Sequence, residues 1–322
     1  MELKTALLDT AMPADLAGQL AYQPTQQDMI RQLAASSSFE LAPVAAAKIP
    51  FFSDIMTAGT EVFLPLLPGA SLADTIPLAV RLAQDGMRPV PHLAARRLSG
   101  FSELDDTLAR LRECADVRDV LIIAGDPGMP AGPFANSLDV LESGLLERHG
   151  IERAFVAGHP EPNPAIPSDV ARDFLLMKNT FARETGIAVE IVTQFSFSAR
   201  TILAWEREMR DAGNTLPIRV GLAGPTKPAT LIKFAAMCGV RASAGFAAKS
   251  GLKLTKLASE RAPDDVIAPL AEALVADPLS RITGLHLFTF GGFAKSAAWA
   301  SAVAENRFQM KRNGSAFSVD LG

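Results

Sequence analysis

The sequence predicts a (β/α)8 barrel, and three observations carry that expectation. Eight short β-rich runs recur along the 322 residues. Helical periodicity fills most of the intervals between them, and alternating strand and helix implies a parallel sheet. Runs such as Leu121-Ile122-Ile123 and Ile191-Val192 are continuously apolar, as strands covered on both faces must be. A doubly wound open sheet is the competing architecture. Against it, no glycine-rich phosphate loop follows the first run.

The expected strands are 38–41, 61–66, 89–94, 119–125, 154–158, 189–195, 218–223 and 284–289. The first expected barrel helix is 73–84, stopped by Asp85-Gly86. The next, 102–114, opens on Ser102 with Asp105 three positions on, close to a capping box. Helix 136–148 starts at an Asn cap and ends before Gly150. Helix 168–184 ends before Gly186, and helix 200–212 stops at Gly213. Helix 228–237 holds Pro228 in its first turn, where the missing N–H costs nothing. Helices 264–276 and 295–305 complete the series. Residues 1–36 read as an N-terminal extension with short helices at 13–20 and 26–35, placed to cap the bottom of the barrel. Residues 37–310 form the barrel and 311–322 a C-terminal tail.

Composition excludes several classes. The formal net charge is -4, with 48% hydrophobic and 20% charged residues, so no basic footprint argues for nucleic acid. Lys249, Lys253 and Lys256 form the nearest thing to a basic cluster, either a solvated helix face or a site for a phosphate or polyanion. No apolar run approaches the roughly 20 residues of a membrane helix. Cys114 and Cys238 form no CxxC pair and read as buried free thiols. Four scattered histidines argue against zinc. With no secretory signal evident, a cytoplasmic location is expected.

In a (β/α)8 barrel the chemistry sits where strands end. The strand ends here offer Glu40, His92, Asp126, His159 and Gln194. Glu40, inside an otherwise apolar strand, must point into the barrel or pair with a charge. A low-dielectric setting would raise its pKa and suit it to general acid work. Asp126, before Pro127-Gly128, either starts a turn or presents a carboxylate at the mouth. Gln194 carries an amide that both donates and accepts, as the edge of a heterocycle requires. It also reads as an ordinary satisfied polar residue. Gly125 and Gly158 precede Asp126 and His159 and would let a flat ring or phosphate approach the backbone. No Ser or Cys sits in a nucleophile elbow.

Taken together, several segments resemble the 5,10-methylenetetrahydrofolate reductase family over roughly residues 36–308. They are Phe39-Glu40 with Pro43, Pro91-His92-Leu93, Gly125-Asp126, Ala157-Gly158-His159-Pro160-Glu161 with Asn163-Pro164, Thr193-Gln194-Phe195, Gly221-Leu222, and Leu285-His286-Leu287-Phe288-Thr289. Each is short, but they occur in the family's order. The resemblance implies a flavin, FAD, held on the C-terminal face. It implies hydride passage from NADH or NADPH to methylenetetrahydrofolate, or the reverse oxidation. It casts Glu40 as general acid, Asp126 as the carboxylate between flavin and pterin, and Gln194 as the amide that orients the ring. It assigns cofactor contacts to His92, Gly125, Asp126, Phe134, Ala135, His159, Asn163, Asp173 and Lys178. The chain departs from the family at Ala124, where an Arg is usual, and at Phe134, where a tyrosine is usual. His159, Asn163 and Gly291-Gly292 are further departures. These leave open a direct nicotinamide-to-folate reductase without flavin, or a folate-binding barrel without catalysis. Homo-oligomers are common among such barrels, and nothing in the sequence places an interface.

Overall fold

The structure is a computed structural model that describes residues 24–67, 69–125, 128–163, 166–231 and 260–321. Eight parallel strands close into one barrel in sequence order, the first pairing with the last. They are β1 Ser38–Glu40, β2 Glu61–Leu64, β3 Arg88–Ala94, β4 Asp119–Ile123, β5 Arg153–Gly158, β6 Ala188–Thr193, β7 Ile218–Ala223 and β8 Ile282–Phe288. The (β/α)8 expectation holds, with strand ends shifted by one or two residues.

Helices cover the barrel from outside. In chain order they are α1 Gln26–Ala35, α2 Pro43–Ala46, α3 Ile76–Gln84, α4 Phe101–Ala115, α5 Ser137–Leu141, α6 Leu145–Arg148, α7 Ser168–Thr185, α8 Ala199–Asp211, α9 Asp264–Ala276 and α10 Phe293–Ala304. The longer ones bury an apolar stripe: in α4 it is Leu104, Leu108, Leu111 and Ala115. Cys114, on α4, is exposed, which corrects the buried-thiol expectation.

Three local expectations change for identifiable reasons. The helix expected over 136–148 divides into α5 and α6, because Gly144 takes a left-handed φ of 72° between them. The expected box at Ser102 is replaced by Ser99, whose N–H and hydroxyl both donate to Glu103, each at 2.7 Å. Helix α3 begins at Ile76, because a 3-10 turn over Leu72–Thr75 takes up its expected first turn.

Helix α1 has the expected bounds, with Thr25 and Asp28 forming a capping box. It buries Ile30, Leu33 and Ala34, and it packs beside α9 and α10 rather than across the barrel axis. A hairpin follows the barrel: β9 Phe308–Met310 pairs antiparallel with β10 Phe317–Val319, spanning residue 310. Phe317 is buried against Trp299 and Phe308. The expected helices 13–20 and most of 228–237, the lysine cluster and Cys238 lie outside the described residues.

The bottom of the barrel is closed by charge. Glu61, Arg88, Asp119 and Arg153 open β2 to β5, and Glu190 and Arg219 point inward from β6 and β7. Arg153 pairs with Glu61, Asp119 and Glu190. Arg219 reaches Glu61 at 2.6 Å and Glu190 at 2.8 Å, and Arg88 reaches Asp119 at 2.5 Å. Three acids thus face three arginines. Above them Phe63, Val90, Leu121, Phe155 and Val192 fill the barrel, so the open end is the C-terminal mouth.

Candidate functional site

Strand alternation decides what reaches the mouth. On β1, Phe39 turns outward against Phe293, so Ser38 and Glu40 turn inward. Glu40 ends its strand, partly buried, and loss of hydration pushes its carboxyl up to about 7. Its backbone carbonyl accepts from the Thr289 hydroxyl at 2.8 Å, tying β1 to the end of β8.

His92 sits within β3 and is buried, with its ring edge-on to Phe63. Among the described residues its Nε2 has no hydrogen-bond partner, and burial lowers its pKa to about 3, so the imidazole is neutral. Below Glu40, Ser38 Oγ lies 3.0 Å from Nδ1 of His286, also buried and held well below the usual imidazole range. His286 packs between Phe63 and Phe288.

Gly125 follows β4 with a φ of 91°, a conformation that disfavours any side chain. Asp126 lies outside the described residues. His159 follows β5 directly, partly buried. Its pKa falls to about 4, first through desolvation and then through the Lys178 ammonium. Lys178 comes from α7 and is 95% buried, with its pKa lowered to about 8 by desolvation. Among the described residues no carboxylate pairs with it.

Gln194 stands at the end of β6. Its N–H donates to Gly158 O at 2.8 Å, and its side-chain Oε1 accepts from Phe195 N at 3.0 Å. That holds the amide by its oxygen, and its NH2 has no partner among the described residues. Ser196, buried beside it, donates to Glu161 Oε1 at 2.8 Å and accepts from Ser198 N at 3.3 Å. Glu161 therefore latches the loop after β5 to the loop after β6.

The expected residues separate into two groups. Glu40, His92, Gly125, His159 and Gln194 share the C-terminal end of one closed barrel, and Lys178 reaches His159 from outside. Asn163 lies on the loop after β5, partly buried. Phe134 is not brought to the mouth as an open ring: it is 1% exposed and packed on Phe101 at 4.8 Å. Asp173 is exposed and bonded to Arg172. Five residues separate it from Lys178, which puts the two side chains on different faces of α7. Ala135 offers only backbone, its carbonyl accepting from Arg96 Nε at 2.7 Å.

Phe195-Ser196-Phe197-Ser198 stands where the resembling family has an aromatic-rich run, and it brings an aromatic group to the same mouth. Phe195 meets Phe197, Phe288 and Phe290 at centroid distances of 5.4–5.6 Å. Phe290 adopts a positive φ of 46°, rare outside glycine. The inward alternation of Gly284, His286 and Phe288 was the available signal for β8, and Ser38–His286 follows from the same period of two.

No family model matches the chain. Among solved structures it is similar to a family 18 chitinase from Crocus vernus, at 12% identity and a TM-score of 0.44, over 83% of this chain and 98% of that one. It is similar also to a chitinase from Rhizomucor miehei, at 12% identity and a TM-score of 0.42, over 79% of this chain and 94% of that one. Neither similarity bears on the chemistry of the mouth. Among the described residues no helix is long and apolar enough to cross a membrane, and no three His, Cys, Asp or Glu side chains gather as metal ligands.

Proposed function

We propose that the protein reduces 5,10-methylenetetrahydrofolate, or a closely related one-carbon pterin, with electrons from NADH or NADPH. The observation that carries the reading is Glu40: an inward carboxyl at a strand end, with a pKa of about 7 and, among the described residues, no cationic partner. A carboxylic acid that is half protonated at neutral pH suits a reaction that begins by protonating a weakly basic nitrogen.

In the net reaction the methylene carbon gains a hydride and stays on the pterin nitrogen as a methyl group, its bond to the aminobenzoyl-side nitrogen breaks, and that nitrogen takes a proton. Glu40 delivers the proton and regains one from solvent. Gln194, clamped through its oxygen, donates its NH2 to the ring at the mouth. Phe195 and its neighbours supply apolar surface that excludes water from a flat ligand. Asp126, by the family resemblance, supplies negative charge that favours a cationic electrophile.

The residues at the mouth fit a flavin in part. Among the described residues His92 Nε2 has no hydrogen-bond partner and buried Lys178 no carboxylate, and Gly125 carries no side chain, all three fitting an anionic flavin nucleotide. Phe134 and Asp173 do not contribute. A bound flavin would supply two-electron transfer between nicotinamide and methylene carbon. Direct transfer without flavin is a second reading, favoured by the burial of Phe134 and the exposure of Asp173.

The test is the visible spectrum of the purified protein. Flavin bands that bleach anaerobically with NADH and recover with methylenetetrahydrofolate are expected. Turnover by a colourless protein would select the direct route. Binding of the folate with no hydride transfer from either nicotinamide, with and without added FAD, would leave a binding protein and defeat the proposal.

A further inference from the structure

The acid proposed for the mouth has its backbone held from two sides, and one of those holds is a side chain. Strand β1 is three residues long and pairs with β8 over Ser38↔His286 and Phe39↔Leu287. On the β2 side the register reaches Glu40↔Phe63, and Leu41 N donates to Phe63 O at 2.9 Å. Glu40 therefore stands past the end of the register that closes the barrel. There the Thr289 hydroxyl takes over, donating to Glu40 O at 2.8 Å. Thr289 is buried, which shields the bond from competing water. Two positions down the same face of β1, Ser38 Oγ donates to Leu285 O at 3.3 Å. Side-chain hydroxyls thus stitch the seam between β1 and β8 at both ends.

Thr289 is itself fixed. Its carbonyl accepts from Gly292 N at 2.7 Å and closes a turn whose central residues, Phe290 and Gly291, take positive φ values of 46° and 85°. That conformation is costly for a phenylalanine and persists where the surrounding structure enforces it. Just before the turn, Phe288 O accepts from Gly224 N at 3.0 Å, which ties β8 to the end of β7. The hydroxyl is therefore presented to β1 from an anchored segment. The same turn carries the Phe290 ring to Phe195, the residue after Gln194, at 5.4 Å. One short segment thus meets the acid on one side and the apolar wall of the mouth on the other. A carboxyl moves with the backbone that carries it. A drift of about 1 Å at Glu40 is enough to cost about a hundredfold in rate.

We propose that Thr289 is a positioning residue for the reduction: by holding the Glu40 carbonyl, its hydroxyl aims the Glu40 carboxyl at the nitrogen that takes the proton. The inference rests on the reading of Glu40 as general acid, and adds the group outside β1 on which that acid depends. The hydroxyl is the working part. Valine would fill the same space and leave Glu40 O without this donor.

The experiment is steady-state turnover of the full chain with methylenetetrahydrofolate and the preferred nicotinamide. Wild type is compared with Thr289→Val, Thr289→Ser, Glu40→Gln and the double variant of Thr289→Val with Glu40→Gln. Thr289→Val is expected to lower kcat about 10- to 100-fold, with KM for the pterin within about twofold of wild type. Thr289→Ser, which keeps the hydroxyl, should hold kcat within about threefold of wild type. In the Glu40→Gln background, Thr289→Val should cost less than about threefold more, because an acid already removed cannot be misaimed. Should Thr289→Val fail to fold by circular dichroism, Thr289→Ala carries the same arms. A folded Thr289→Val with kcat within about twofold of wild type would overturn the proposal. So would an equal fold-loss with and without Glu40, which would leave the hydroxyl a structural group only. A raised KM at unchanged kcat would overturn it too, by moving Thr289 to pterin binding. Wild type that passes no hydride sinks the reductase reading and Thr289 with it. Turnover by wild type with additive losses in the double variant sinks Thr289 alone.

Discussion

Glu40 shows how one side chain couples stability to chemistry. Its pKa rises from 4.5 to about 7 on folding, because burial penalises the charged form. The folded state therefore holds its proton more tightly than the unfolded chain. The associated stability is fully present below pH 4.5 and is lost as pH rises through about 7. Glu40→Gln should match wild type near pH 4 and exceed it by roughly 1–3 kcal/mol at pH 8, measured by urea denaturation at each pH. The same substitution should lower turnover by about 10²–10⁴. A Glu40→Gln enzyme with normal turnover would remove the general acid from the mechanism. His92 has the opposite sign. Its pKa falls to about 3, so stability is lost as pH drops from 6.5 towards that value. His92→Gln should blunt that acid limb in the same denaturation series. Glu40 was legible because an acid in an apolar strand has few places to go. Phe134 and Asp173 were not, because local spacing does not say which ring a neighbouring helix covers or which helical face turns inward.

Among the elements, two devices stand out. Gly144 breaks the stretch 136–148 into two short helices by taking a left-handed conformation. Gly144→Ala should cost about 1 kcal/mol and lower the melting temperature by a few degrees without altering the mouth. The Glu161–Ser196 hydrogen bond joins the loops that follow β5 and β6, next to Gln194. Ser196→Ala leaves Glu161 and Ser198 N without that partner. We expect a higher KM for the pterin with a smaller change in kcat, because Gln194 would be held less firmly in the free protein. A fall in kcat alone would assign Ser196 to the chemistry and not to the positioning of the amide. The sequence contained Glu161 and Ser196 35 residues apart, and only the adjacency of β5 and β6 joins them.

On the scale of the whole molecule, the barrel has a charged floor, an apolar middle and a polar mouth. The floor balances Glu61, Asp119 and Glu190 against Arg88, Arg153 and Arg219, with Arg88 half exposed and the other five largely out of water. Removing one member strands the others, which costs more than the pair contributes. Arg153→Met should destabilise the fold by about 3–5 kcal/mol, read from the denaturation midpoint at constant slope. A change under about 1 kcal/mol would mean that water reaches the floor. The floor also explains why the mouth is the open end: charge below and Phe63 and Phe155 in the middle leave no passage through the barrel.

What the sequence determined by itself was periodic. Apolar runs, helical stripes and glycine stops repeat within a few residues, so they specify eight strands, most of their helices and the strand ends where chemistry collects. Helix α1 and helix α9 were legible to the residue, since their caps and breakers are local. What only the tertiary structure decided was every relation between distant segments. The six-membered floor, Ser38 against His286, Lys178 beside His159 and the four phenylalanines each join residues from different strands or loops. Closure of the barrel sets those distances. A one-dimensional pattern carries the direction in which a side chain points, but not the neighbour it meets there.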